Sequence, residues 1–163
     1  MPRRDLKQLS DDAYIWIFGV SPALDETKEA RLLRRVDSFL ADWAAHKQPI
    51  DSGRDLIEGT FLVIAAEKTS ERSGCSIDRL FGTLRELEHE LGVAILDANR
   101  VFFRHGDGRV DAMRRSEFRE KGDGHTIVFD TTAQTLGEIR NGAWERQADD
   151  SWHRDLLKKP AAV

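Results

Sequence analysis

The stretch "PIDSGRDLIEGTFLVIAAEK", residues 49–68, decides how the chain is read. Residues 52–57 read as a weak polar strand, Glu58-Gly59 supplies turn chemistry, and Thr60 to Ala66 is a continuous apolar run. A short run apolar on both alternating faces is a strand covered on both sides, whereas the more polar run before it suits an edge. The spacing therefore predicts a hairpin with one edge strand and one interior strand.

Working outward, "AYIWIFGV" (13–20) has the same two-faced apolar character and is ended by Gly19 and Pro22. From Thr27 to His46, Leu32, Val36, Phe39, Leu40 and Trp43 recur at helical spacing, which predicts a helix ending near Lys47, before Pro49. Ile77, Leu80, Phe81, Leu84, Leu87 and Leu91 form the stripe of a second helix beginning near Ser76 or Ile77. Gly92 closes it as a left-handed cap, and "VAILD" extends again. The order strand, helix, strand, strand, helix, strand is the ferredoxin-like split βαβ pattern, which puts the first and third strands mid-sheet. The alternative is an open α/β sheet with "VAILD" and "TIVFD" as parallel strands.

After Asn99 the texture changes to two strand-like runs around Gly106-Asp107-Gly108, a short helix "RSEFREK", a strand "TIVFD", a short helix "TLGEIRNG" and a tail. The fold class expected is α+β: a ferredoxin-like domain over 1–98 and a small β-rich appendage over 99–163, packed on it. No repeat or long Pro, Gly or Ser linker divides them.

With 40% hydrophobic and 33% charged residues the chain is apolar enough to fold. A net charge of −4, with Lys and Arg dispersed among Asp and Glu, argues against nucleic acid as partner, since phosphate neutralisation needs concentrated positive charge. The longest apolar run, "FLVIAA", is too short to span a bilayer, and "MPRRDLKQLSDD" lacks the apolar run of a secretory signal. A single cysteine forms neither an internal disulfide nor a cysteine-based zinc site. A cytoplasmic protein without membrane partner is expected.

"ERSGCSID", residues 71–78, holds that cysteine where strand gives way to helix. A thiol at a helix N-terminus meets unpaired N–H groups and the positive dipole end, which favour a thiolate. With Ser73, Gly74 and Ser76 around it, the same geometry suits an anionic ligand. The structural alternative makes Ser73 or Ser76 a helix cap and Cys75 a small buried hydrophobe, with Asp78 satisfying the first turn. His46 and His153 are the candidate bases, and Trp43 and Trp152 the candidate groove walls. Asp150, Ser151 and His153 have the residue types of a hydrolase triad, but near neighbours in sequence do not generally face one another, so no local triad is expected. Glu86 and His89 sit opposite the leucine stripe, and His105 and His125 flank turns. No phosphate loop, dinucleotide fingerprint, H-E-x-x-H pair or G-x-S-x-G elbow occurs, so neither a cofactor nor a metal is expected.

"WIF", "FLADWAAHKQPI", "SGCSID", "TIVFD" and "DSWHRDLL" together resemble a family of short bacterial proteins that often carry the automatic label ABC transporter ATPase. That resemblance covers nearly the whole chain and implies no defined activity, and the missing phosphate loop conflicts with the label. Residues 104–144, from "RHGDGRVDAM" to "NGAW", are similar to small bacterial GYF-like domains, which implies protein interaction, although the Gly-Pro step is missing. The resulting expectation is a binding protein taking a small anionic ligand or a peptide in a groove at Cys75. The alternative is a thiol-dependent enzyme with Cys75 as nucleophile or redox group and a histidine base.

Overall fold

A computed structural model describes residues 5–70 and 72–158. Among these, four α-helices and three antiparallel sheets make an α+β protein. They form two compact units. One runs up to Leu96 and takes back Thr131–Asn141; the other comprises Asp97–Asp130 and the chain from Gly142 onward.

The first unit is built on the hairpin predicted from residues 49–68. Strand β1 (Tyr14–Gly19) and strand β4 (Ser52–Ile57) flank β5 (Phe61–Ala66), both antiparallel to it, with Tyr14 and Ser52 each opposite Ala66. All six residues of β5 are buried, which is why its sequence shows no polar face. Glu58 and Gly59 both take positive φ, at 52° and 63°, to turn the chain between β4 and β5.

Helix α1 (Glu26–Asp42) starts at Asp25, whose carboxylate accepts from the Lys28 N–H at 2.8 Å. It buries Leu32, Val36 and Leu40 and stops at Trp43, earlier than the sequence predicts. The residues expected to be its last turn form a small hairpin instead, β2 (Ala44–Ala45) against β3 (Gln48–Pro49). His46 and Lys47 occupy its two turn positions at φ 49° and 66°, the backbone of a two-residue type I′ turn. Helix α2 (Gly74–Leu91) buries Leu80, Leu84, Leu87 and Leu91 in the same cluster as α1 and closes on Gly92 at φ 66°. Arg54 of β4 holds Asp37 of α1 with two nitrogens, at 2.8 and 2.9 Å.

"VAILD" is not a strand. Ala94 forms one antiparallel bridge to Ser21, and there the pairing ends. Pro22 has no N–H to continue a ladder, and the Glu88 carboxylate takes the N–H groups of Ile95 and Leu96 at 2.7 and 2.9 Å. The sheet is thus three-stranded with β5 alone between two strands, and neither sheet strand is parallel to its neighbour.

In the second unit β6 (Arg100–Arg104), β7 (Val110–Arg114), β8 (Ile127–Phe129) and β9 (Glu145–Gln147) form a sheet in the order β7-β6-β8-β9. Helix α3 (Arg115–Lys121) buries Phe118 with Val101, Phe103, Val128 and Ala148. Strand β9 lies where the sequence shows only an undifferentiated tail; it pairs with β8 through Val128 and Arg146. Helix α4 (Leu136–Arg140) belongs to the first unit, where Tyr14 bridges to Thr135. No helix of the described residues is long and apolar enough to cross a membrane.

Candidate functional site

The entrance to α2 is set by a reciprocal cap. The Ser73 hydroxyl accepts from the Ser76 N–H at 3.1 Å, and the Ser76 hydroxyl accepts from the Ser73 N–H at 3.0 Å. The helix consequently begins at Gly74, two residues before the predicted start. Two consequences follow. Cys75 is the second residue of the first turn, and that turn contains no acidic residue, because Asp78 falls beyond it.

Of the structural alternative, the Ser73 cap is present but the buried thiol is not: Cys75 is exposed. A side chain added at Gly74 would meet nothing within 4 Å, so this turn opens outward. The amides of Gly74 and Cys75 have no acceptor inside the helix. Just before the cap in the chain, the Arg72 guanidinium lies over the Tyr14 ring of β1, 3.4 Å from its centroid.

Beneath this turn, Trp43 is 1% exposed and its indole N–H donates to the Ser76 carbonyl at 2.8 Å. Trp16 meets the Trp43 ring edge-on at 5.8 Å, and Phe39 lies 5.5 Å away. Trp43 therefore fastens the start of α2 to the end of α1. It also borders a cavity of about 430 Å³ between the two helices, together with Phe39, Arg79, Gly82 and Thr83; Cys75 does not line it.

His46 is exposed in its hairpin turn. Of the residues nominated from sequence, Ser73, Gly74, Cys75, Ser76 and Trp43 come together in the first unit, whereas Trp152 and His153 belong to the second.

There the structure forms a pair that the sequence argument discounts. His153 Nδ1 lies 2.6 Å from the Ser151 hydroxyl, across a short 3-10 turn that folds positions i and i+2 onto one side. The imidazole is 2% exposed, stacks on Trp152 at 4.0 Å and meets the edge of Phe118 at 6.2 Å. Burial pushes its pKa down to about 4; Asp130 works against the shift, while Arg115 and Arg146 add to it. The Asp130 carboxylate accepts from Arg146 at 2.7 Å and from the Trp152 indole at 3.1 Å. Asp150, the third residue of the sequence triad, is exposed. A pKa of about 4 leaves the buried imidazole neutral at pH 7.

Sequence reasoning missed Arg72 with Tyr14, and the set formed by Asp130, Arg146 and Trp152. Both join residues far apart in the chain and leave no local spacing to read. Among the described residues no group of three or more His, Cys, Asp or Glu side chains is placed to hold a metal ion. No family model matches the chain, and neither a curated protein nor a solved structure shows significant similarity to it.

Proposed function

We propose that the protein is a binding or interaction protein of the bacterial cytoplasm. Its first unit takes an anionic group, a small oxyanion or the carboxylate of a peptide, at the entrance to α2. One observation carries this reading: the exposed first turn at Gly74 and Cys75 has no acidic residue. Free N–H groups and the helix dipole both favour negative charge there. A ferredoxin-like plan for the first unit is part of the proposal, supported by the antiparallel order β1-β5-β4 and the Ala94–Ser21 bridge as the remnant of a fourth strand. Nucleic acid and membrane are left out as partners because the charge is −4 and dispersed. Titrating inorganic phosphate into the ¹⁵N-labelled protein tests the reading. The amides of Gly74 and Cys75 should shift saturably; shifts scattered over the surface would remove the site.

A second reading, a thiol-dependent enzyme, is favoured by the exposure of Cys75. It needs a base, and His46 is the nominated histidine that shares the unit with Cys75. An iodoacetamide alkylation rate that follows the pH profile of free cysteine, and is unchanged by His46→Gln, would eliminate it.

A further inference from the structure

The end strand of a sheet presents a row of backbone groups that a strand from another chain can pair with. The two larger sheets have four such ends, β1 and β4 in the first unit and β7 and β9 in the second. At β1 the outward N–H groups of Ile15 and Ser21 donate to the Gln134 and Ala94 carbonyls, at 3.2 and 3.0 Å. Strand β9 is three residues long, and its Glu145 N–H donates to the Gly142 carbonyl at 3.1 Å. That leaves β4 and β7, and among the described residues no strand lies beyond either.

Bonded pairs recur at every second residue of an antiparallel ladder. Two bonds bracket the β6–β7 ladder: Arg115 N–H to the Asn99 carbonyl at 3.1 Å, and His105 N–H to the Arg109 carbonyl at 2.8 Å. Asp111 and Met113 therefore turn their backbone groups towards β6, while Val110, Ala112 and Arg114 turn theirs outward. At the middle of this outward row the Ala112 N–H donates to the carboxylate of its own neighbour, Asp111, at 2.8 Å. The other carboxylate oxygen lies 2.9 Å from His105 Nε2, so the group is held from two sides. Strand β4 repeats the contact independently. The Glu67 N–H donates to the Asp51 carbonyl at 2.8 Å, which by the same alternation turns Ser52, Arg54 and Leu56 outward, and the Leu56 N–H donates to the Asp55 carboxylate at 2.9 Å.

We propose that Asp111 guards the edge of the second unit: its carboxylate occupies the outward donor at the centre of β7 and closes that edge to strand addition by another chain. An incoming strand would place a carbonyl oxygen where the carboxylate oxygen already stands, and would have to displace a charge-assisted hydrogen bond to do so. The Asp111 side chain is 51% exposed, so an added strand would also strip water from the charge. The inference is independent of the anion site at α2. It bears on which peptides the protein can take, because one that docks by extending this sheet is refused by the native sequence.

Two substitutions at one position test it. Asp111→Ala frees the Ala112 N–H, whereas Asp111→Asn removes the charge and keeps a side-chain oxygen that accepts from it. The position is exposed and outside the buried cluster of the second unit, so both variants should keep the wild-type circular dichroism. In sedimentation velocity the wild type and Asp111→Asn should behave alike at every concentration, while Asp111→Ala should sediment faster as its concentration rises. Hydrogen exchange followed by NMR locates the contact: the Ala112 amide should exchange more slowly in concentrated than in dilute Asp111→Ala. An Asp111→Ala protein that sediments like the wild type throughout, an Asp111→Asn protein that associates equally, or association that leaves Ala112 exchange unchanged would each overturn the proposal.

Discussion

Acidification should act on the second unit through His153. The imidazole is nearly inaccessible and its pKa is held at about 4, against an ordinary 6.5. Above pH 6.5 both folded and unfolded forms are neutral and the group adds no pH dependence. Below it the unfolded chain takes up a proton that the folded chain refuses, so stability falls as pH drops towards about 4, where the folded form is protonated as well. A gap of this size, at roughly 1.4 kcal/mol per pH unit, corresponds to about 3 kcal/mol, a large part of a typical domain's stability. The assay is urea unfolding followed by tryptophan fluorescence across this pH range, with Trp152 stacked on His153 as a local reporter. His153→Asn keeps a polar group towards Ser151 and removes the titration. The wild type should lose about 3 kcal/mol more than the variant over the acid range. Parallel losses in the two proteins, or an NMR titration of His153 with a midpoint at or above 6.5, would refute the argument.

Other substitutions probe the first unit and the surface. Among the described residues the buried Ser52 hydroxyl has no hydrogen-bond partner, so Ser52→Ala should stabilise the protein by about 1 kcal/mol in denaturant titration. Trp43→Phe removes the indole N–H bonded to the Ser76 carbonyl and should cost about 1 kcal/mol by the same method. Ser73→Ala opens the reciprocal cap at α2 and should cost about 1 kcal/mol, with faster hydrogen exchange confined to the first turn. The hydrogen bond from His105 holds the Asp111 carboxyl below its usual range, helped by the Ala112 N–H; His105→Gln should raise its midpoint in a carboxylate NMR titration.

Much of the fold was legible because periodicity is a local signal. The wholly apolar β5, the leucine stripes of α1 and α2, the Gly92 cap and the "RSEFREK" helix all appear where the pattern puts them. Failures arose where a competing partner took over a backbone group. Glu88 captured the amides that "VAILD" needed for a ladder, and the turn at His46-Lys47 cut α1 short. Neither competition leaves a periodic trace. The return of Thr131–Asn141 to the first unit depends on Arg140 reaching Leu6 and Leu9, a contact between chain ends that no window of sequence contains. At the candidate site, the serine cap was readable from "SGCS", whereas the exposure of Cys75 was not, because a lone cysteine suits burial and exposure equally by composition.

An anion held at the start of α2, as proposed, would sit within reach of Cys75. Measuring the rate at which iodoacetamide alkylates Cys75, with and without saturating phosphate at constant ionic strength, addresses it most directly. Occupancy of the turn should slow the reaction several-fold. A rate indifferent to phosphate would contradict the claim.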